Sequence, residues 1–245
     1  MTLVVRNTSH GNGIRVIYFS DAKMYRKVTF NAWGKVLLEN ECAGIQWYSR
    51  CCNKNSNCNI KLYSHQSYAR LDFPELSGAK VHYSLCFSQA IDCWERIVTH
   101  YVSKWEKRER VPCHGDLTLD NVLLSSNSAV LIDWEHFQLD GEVWGFDLCY
   151  LTLSMIALPY LKSGEVQQKD WICFEQAWSK LIKLGIARNL TSSPIDYFVN
   201  VFNTGSGWKN IIKHSPRKMF PLILDKKIIN SIQKRISNVM TQGGA

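Results

Sequence analysis

The sequence predicts an α+β fold in two parts: a small β-rich part over residues 1–73 and a mainly helical part over residues 74–245. Three observations carry this. The first 73 residues hold short runs of β-branched and aromatic residues, separated by turn residues, with one helix-spaced stretch among them. Beyond residue 86, apolar residues recur at intervals of three and four. In between, two apolar runs flank Ser125-Ser126-Asn127-Ser128, a turn by composition, and make a hairpin with polar residues at its ends.

In chain order, Leu3–Arg6 reads as a short strand and residues 8–13 as a turn holding Gly11 and Gly13. Ile14–Phe19 and residues 24–30 read as two further strands. Residues 33–48 have helical spacing, with Val36, Leu37, Cys42, Ile45 and Trp47 apolar. Residues 51–59 are polar and loop-like, and residues 60–63 and 68–73 read as strands. Pro74 has no N–H for a ladder, so the second of these ends there. Residues 86–107 form a helix, with Pro112 marking the exit. After the hairpin, residues 144–160, 170–184, 195–212 and 221–240 are helical candidates.

Bulk properties bound the reading. With 46% hydrophobic and 20% charged residues, the chain is an ordinary globular protein. No uncharged apolar stretch of about 18 residues occurs, so no membrane span is expected. The first residues lack a signal-peptide core, which gives a cytoplasmic expectation. The nine cysteines are scattered and odd in number, so no disulfide framework is expected. Cys51, Cys52 and Cys58 cluster but lack ligand-spaced partners, and read as ordinary thiols. The net charge is +8, and from residue 207 onward eight Lys/Arg face one acid, Asp225. A solvated helix face is the plain explanation. An anionic substrate or peripheral membrane contact is the functional one, and nucleic acid is not expected.

The hairpin brings chemistry together. Asp116 and Asn121 bracket a short loop, and the second strand ends in Asp133. Folding back sets Asp133 beside Asn121 and Asp116. Two carboxylates and a carboxamide at strand ends suit a Mg²⁺–nucleotide site, because Mg²⁺ takes hard oxygen ligands and phosphate oxygens.

His114-Gly115-Asp116-x4-Asn121, then Ile132-Asp133-Trp134-Glu135, then Trp144-Gly145-Phe146-Asp147-Leu148 resemble the aminoglycoside phosphotransferase and choline kinase superfamily, relatives of the protein kinases. The match is dense over residues 111–151 and rests elsewhere on order and spacing. It implies a protein-kinase-like two-lobed fold, with an N-lobe over 1–73 and a C-lobe over 74–245. It also implies ATP and Mg²⁺ as cofactors and a hydroxyl of a small molecule as acceptor. Asp116 would be the base, and Asn121 and Asp133 would hold Mg²⁺, with Glu135 either assisting or lying on the surface. Lys27 would contact phosphates, oriented by Glu41, with Glu39 the alternative. Gly11 and Gly13 would cover the phosphates, and residues 72–78 would form the hinge that holds the adenine. His114 would brace the loop, and Asp147 would accept its backbone N–H groups.

Departures from protein kinases narrow the acceptor. Only 13 residues separate Asp133 from Asp147, and no Ala-Pro-Glu follows, which leaves no room for a peptide-docking segment. The leading acceptor is a sugar or surface-glycan precursor, anionic or lipid-linked, since residues 186–245 hold only two acids, Asp196 and Asp225. Choline or another amino alcohol is the alternative, with Trp144, Tyr150, Tyr160, Trp171, Trp178 and Trp208 as candidate cage residues. An aminoglycoside comes third, and a catalytically silent kinase-like binding protein is the reading outside enzymology.

Overall fold

The computed structural model describes residues 3–6, 13–52, 59–66, 68–82, 85–125, 129–214 and 220–242. Gly11, Cys58 and the tip of the hairpin at 126–128 lie outside them. The α+β class is as the sequence predicts.

Strands β1 (Leu3–Arg6), β2 (Ile14–Phe19), β3 (Met24–Thr29), β4 (Lys61–His65) and β5 (Tyr68–Pro74) form one antiparallel sheet in the order β1-β2-β3-β5-β4. Helix α1 (Ala32–Cys52) packs on it over a small core of Ile14, Leu37, Leu38, Cys42, Ala69 and Leu71. Successive strand residues point to opposite faces, so adjacent cations in β3 part company. Arg26 turns to Asp72 at 2.7 Å, whereas Lys27 turns to α1. Helix α1 runs through Cys51 and Cys52, which the sequence reading put in a loop. No Gly or Pro stands there to stop it.

Past Pro74 the chain crosses to the second part. β6 (Ala79–Lys80) joins β8 (Val122–Leu124) and β9 (Ala129–Leu131), and the latter two form the expected hairpin, with Leu123 opposite Val130. Helix α2 (Phe87–Lys104) buries Phe87, Ala90, Cys93, Trp94, Ile97, Val98 and Tyr101 along one face. Each large apolar side chain so buried is worth about 1.5–3 kcal/mol. A two-stranded sheet of β7 (Val111–Cys113) and β10 (Gln138–Glu142) frames the loop between them.

The remainder is helical: α3 (Phe146–Ser163), α4 (Gln168–Lys183), α5 (Arg188–Ser192), α6 (Pro194–Thr204), α7 (Ser206–His214) and α8 (Lys226–Gln242). Helix α3 is buried nearly all round its first three turns and forms the centre of this part. Two helical expectations are corrected. The single helix over 195–212 is two helices, broken at Gly205 (φ −64°, ψ 127°). A side chain at Gly205 would stand 2.8 Å from the Val201 carbonyl and 2.9 Å from the Trp208 ring, and the break lets that indole sink into the core. Residues 221–225 precede α8 rather than open it. Asp225 accepts the Ile228 N–H at 3.0 Å, a side-chain cap that sets the helix start.

Trp144, Tyr150, Tyr160, Trp171, Trp178 and Trp208 are all buried in one core and form no surface cage. Lys209, Lys213, Lys226, Lys227 and Lys234 are solvent-exposed, and Arg235 pairs with Glu175 at 2.8 Å over the Trp171 ring. Among the described residues no helix is long and apolar enough to cross a membrane.

Candidate active site

Lys27 stands at the centre of a charged triad. Its Nζ donates to Glu41 Oε1 and to Asp133 Oδ1, each at 2.7 Å. Glu39, the other acid considered for this role, bonds Ser64 at 2.8 Å on the surface. Burial disfavours the Lys27 charge, but Asp133 and Glu41 outweigh it and raise its pKa. Burial pushes the Glu41 carboxyl up to about 7 against the pull of Lys27. Burial also works upward on Asp133, yet the charge and hydrogen bond of Lys27 hold its carboxyl at about 2. Asp133 has φ 64°, a left-handed conformation that costs a non-glycine residue energy and gathers at working sites.

The loop before the hairpin is held differently. Asp147, in the first turn of α3, accepts the His114 N–H at 2.9 Å and the Gly115 N–H at 3.0 Å. His114 is fully buried, and burial drives its pKa down to about 4, so the ring is neutral. Its Nε2–H then donates to the Ile132 carbonyl at 2.8 Å, which ties the loop to β9. Gly115 has φ 87°, and a side chain there would stand 2.6 Å from the His136 carbonyl. Asn121 donates Nδ2–H to the Asp116 carbonyl at 2.7 Å, which leaves its Oδ1 for a ligand.

The Asp116 carboxylate receives the Tyr150 hydroxyl at 3.0 Å. Burial raises its pKa to about 6, with His136 and Tyr150 pulling down and Glu135 and Asp133 pushing up. Tyr150 was legible only as a cage candidate. Its spacing of three from Asp147 puts both on one face of α3, and that was the available signal. Thus one helical turn holds both the backbone and the carboxylate of the Asp116 loop.

Lys27, Glu41, Asn121 and Asp133 border a cleft of about 500 Å³ between the sheet and the hairpin. Ile14, Val16, Phe73, Leu76, Leu123 and Ile132 make one part of its wall apolar; Lys27, Glu41, Asn121, Asp133 and Glu135 make another polar. Burial and then the nearby Asp133 lift the Glu135 carboxyl to about 7. Gly13 (φ 71°) opens β2 packed against the Asn31 side chain, and is not among the residues lining the cleft.

Among the described residues no three His, Cys, Asp or Glu side chains cluster as a metal cage. A divalent cation here would rest on Asp133 and the free Asn121 oxygen, with phosphate and water completing its shell. Those hard oxygen donors fit Mg²⁺, which rarely uses an all-protein cage.

The model of the phosphotransferase enzyme family matches residues 63–140, a span that includes Asp116, Asn121 and Asp133. It bears out the resemblance read from the sequence, and with it the class: a phosphotransferase. Solved structures similar to the chain include a choline kinase from Streptococcus pneumoniae, at 12% identity over 98% of this chain and 94% of that one, with a TM-score of 0.45. An ethanolamine kinase from Plasmodium vivax is 9% identical over 100% and 82%, with a TM-score of 0.47. An aminoglycoside phosphotransferase from Streptomyces rimosus is 12% identical over 97% and 92%, with a TM-score of 0.46. A search of curated proteins finds no match.

Proposed function

We propose that the chain is an ATP- and Mg²⁺-dependent kinase that phosphorylates a hydroxyl of a small molecule. The observation that carries this is the meeting, at one cleft, of the Lys27–Glu41–Asp133 triad and the loop that holds Asp116 and Asn121. The apolar part of the cleft suits a flat base, and Lys27 supplies positive charge for phosphates. Asn121 and Asp133 would hold Mg²⁺, which, when bound, neutralises phosphate charge. Asp116 takes the proton of the acceptor hydroxyl. As it does, a bond forms from the acceptor oxygen to the γ-phosphorus, and the bond to the departing ADP oxygen breaks. His114 and Asp147 keep the loop in register. Gly11 and Gly13 remain the residues proposed over the phosphates, and the division into lobes at residue 73 goes with this reading.

The acceptor we favour is a sugar or surface-glycan precursor. The scarcity of acids in residues 186–245, only Asp196 and Asp225, supports it over a cationic acceptor. The test is ADP release from Mg·ATP against sugars, glycan precursors, amino alcohols and aminoglycosides, with Asp116→Asn in parallel. Acceptor-dependent release that the substitution abolishes is the expected result. Nucleotide binding without turnover on any acceptor would point to a silent binding protein instead.

A further inference from the structure

The outer face of the five-stranded sheet takes no part in the site above. Helix α1 lies on the face to which Lys27 turns, so residues in step with Arg26 stand on the other. The register sets them in rows across the strands. Lys61, Asp72 and Arg26 share one row, and Tyr63, Arg70, Val28 and Arg15 share the next. Phe19 borders the first row, while Phe30 and Tyr68 border the second. Each of the four cations comes from a different strand, so no basic run in the sequence announces the patch; pairing assembles it.

Two properties of this face point to a ligand. It is positive: Arg15, Arg26, Lys61 and Arg70 stand against one acid, Asp72. Both guanidiniums grip that acid, Arg26 Nε at 2.7 Å and Arg70 Nε at 3.0 Å, while Arg15 and Lys61 remain exposed. It is also openly aromatic. Phe30 is 68% exposed and Tyr63 47%, and the Phe30 and Tyr68 ring centroids lie 5.4 Å apart. The Arg70 guanidinium lies 4.8 Å from the Tyr63 ring and that of Arg26 4.9 Å from the Phe19 ring. Clamped between Asp72 and a ring, each guanidinium has little freedom left to lose on binding.

Exposed rings and guanidinium planes stack on the flat faces of bases, while cations meet phosphates. An acidic peptide would answer the charge and leave the rings without flat partners. A lipid surface takes up protruding apolar side chains, whereas Ile17, Phe19 and Val28 lie half-buried on this face. A duplex hides its base faces in its own stack. We infer that the outer face of the sheet binds single-stranded nucleic acid without sequence preference, Phe30 and Tyr63 stacking on bases and Arg15 and Lys61 meeting phosphates. This surface is independent of the nucleotide cleft and of the kinase reading.

The test is fluorescence anisotropy of a labelled oligouridine of about 15 nucleotides with the intact chain, a length within the usual site sizes. Between about 50 and about 200 mM salt the affinity should fall about 20-fold, as for the neutralisation of about three phosphates on a single strand. Phe30→Ala and Tyr63→Ala should each weaken binding about tenfold at fixed salt and leave the salt slope unchanged. Arg15→Ala should flatten that slope by about 0.7. Thermal unfolding should hold in all three, since these side chains are exposed. Lys226→Ala combined with Lys227→Ala, on the basic C-terminal helix, should bind as wild type. The inference is overturned by an absence of binding, by ring variants that bind as wild type, or by loss of binding in the double lysine variant alone. Equal affinity for a duplex of the same length, or displacement by polyglutamate as readily as by unlabelled oligouridine, overturns it too, because charge without stacking would then be the whole interaction.

Discussion

Two carboxylates, Asp133 and Asp116, are handled in opposite ways. Just past β9, Asp133 meets a lysine of the sheet and is held at about 2. On the helical side Asp116 meets a phenol, and burial leaves it at about 6. The same functional group is thus fixed as a permanent anion in one place and kept basic enough to take a proton in the other. Environment does this by pushing paired titratable groups apart. A metal ligand must stay ionised, and a base works best near the working pH.

The largest break in this comparison is Asp116→Asn, which should lower kcat by on the order of 10²–10⁴ while nucleotide affinity holds, as read by steady-state kinetics and titration. Retained turnover would remove Asp116 from the chemistry. The lysine-held carboxylates are tested next by Lys27→Met. It strands the buried Glu41 carboxylate and should cost on the order of 3–5 kcal/mol in denaturant unfolding. Adding Glu41→Leu should return part of that loss, and a doubled loss instead would deny the pairing.

Asp147→Asn probes the support of the Asp116 loop. It replaces one of two acceptors with a donor facing the loop N–H groups, and should destabilise by about 1–3 kcal/mol. Turnover should fall as well, because the loop that carries Asp116 loses its register. The smallest effect concerns pH. The proposed base, Asp116, would work when ionised, so activity should be full above its pKa and fall as pH drops through about 6. The Tyr150 hydrogen bond pulls that pKa down. Tyr150→Phe should therefore move the acid limb of kcat/KM upward, by about one pH unit if that bond is worth about 1.5 kcal/mol. A limb that stays put would show that the phenol does not tune the carboxylate.

Much of the scaffold was written locally. The β-branched and aromatic run of β2, the three-and-four spacing of α2 and the apolar runs around the β8–β9 turn are local patterns, which the chain carries wherever it folds. The order of Asp116, Asn121, Asp133 and Asp147 is equally local, because short connections force those residues into one neighbourhood. Strands β7 and β10 were not legible, since strands of three and five residues hold too few alternations, and each depends on a partner distant in sequence. Nor did spacing tell whether residues 195–212 make one helix or two. The break at Gly205 follows from where the Trp208 indole is buried.

By itself, then, the sequence determined the class of fold and the identity of the acidic and amide groups that meet at the cleft. The tertiary structure alone decided which acid faces Lys27 and which hydroxyl holds Asp116. Glu39 and Glu41 differ by two residues on one helix, and only the packing of α1 against the sheet selects between them. Tyr150 and His136 reach the Asp116 loop from α3 and from the approach to β10. Their partners are set by through-space contacts between distant segments, a relation that no local pattern of residues encodes.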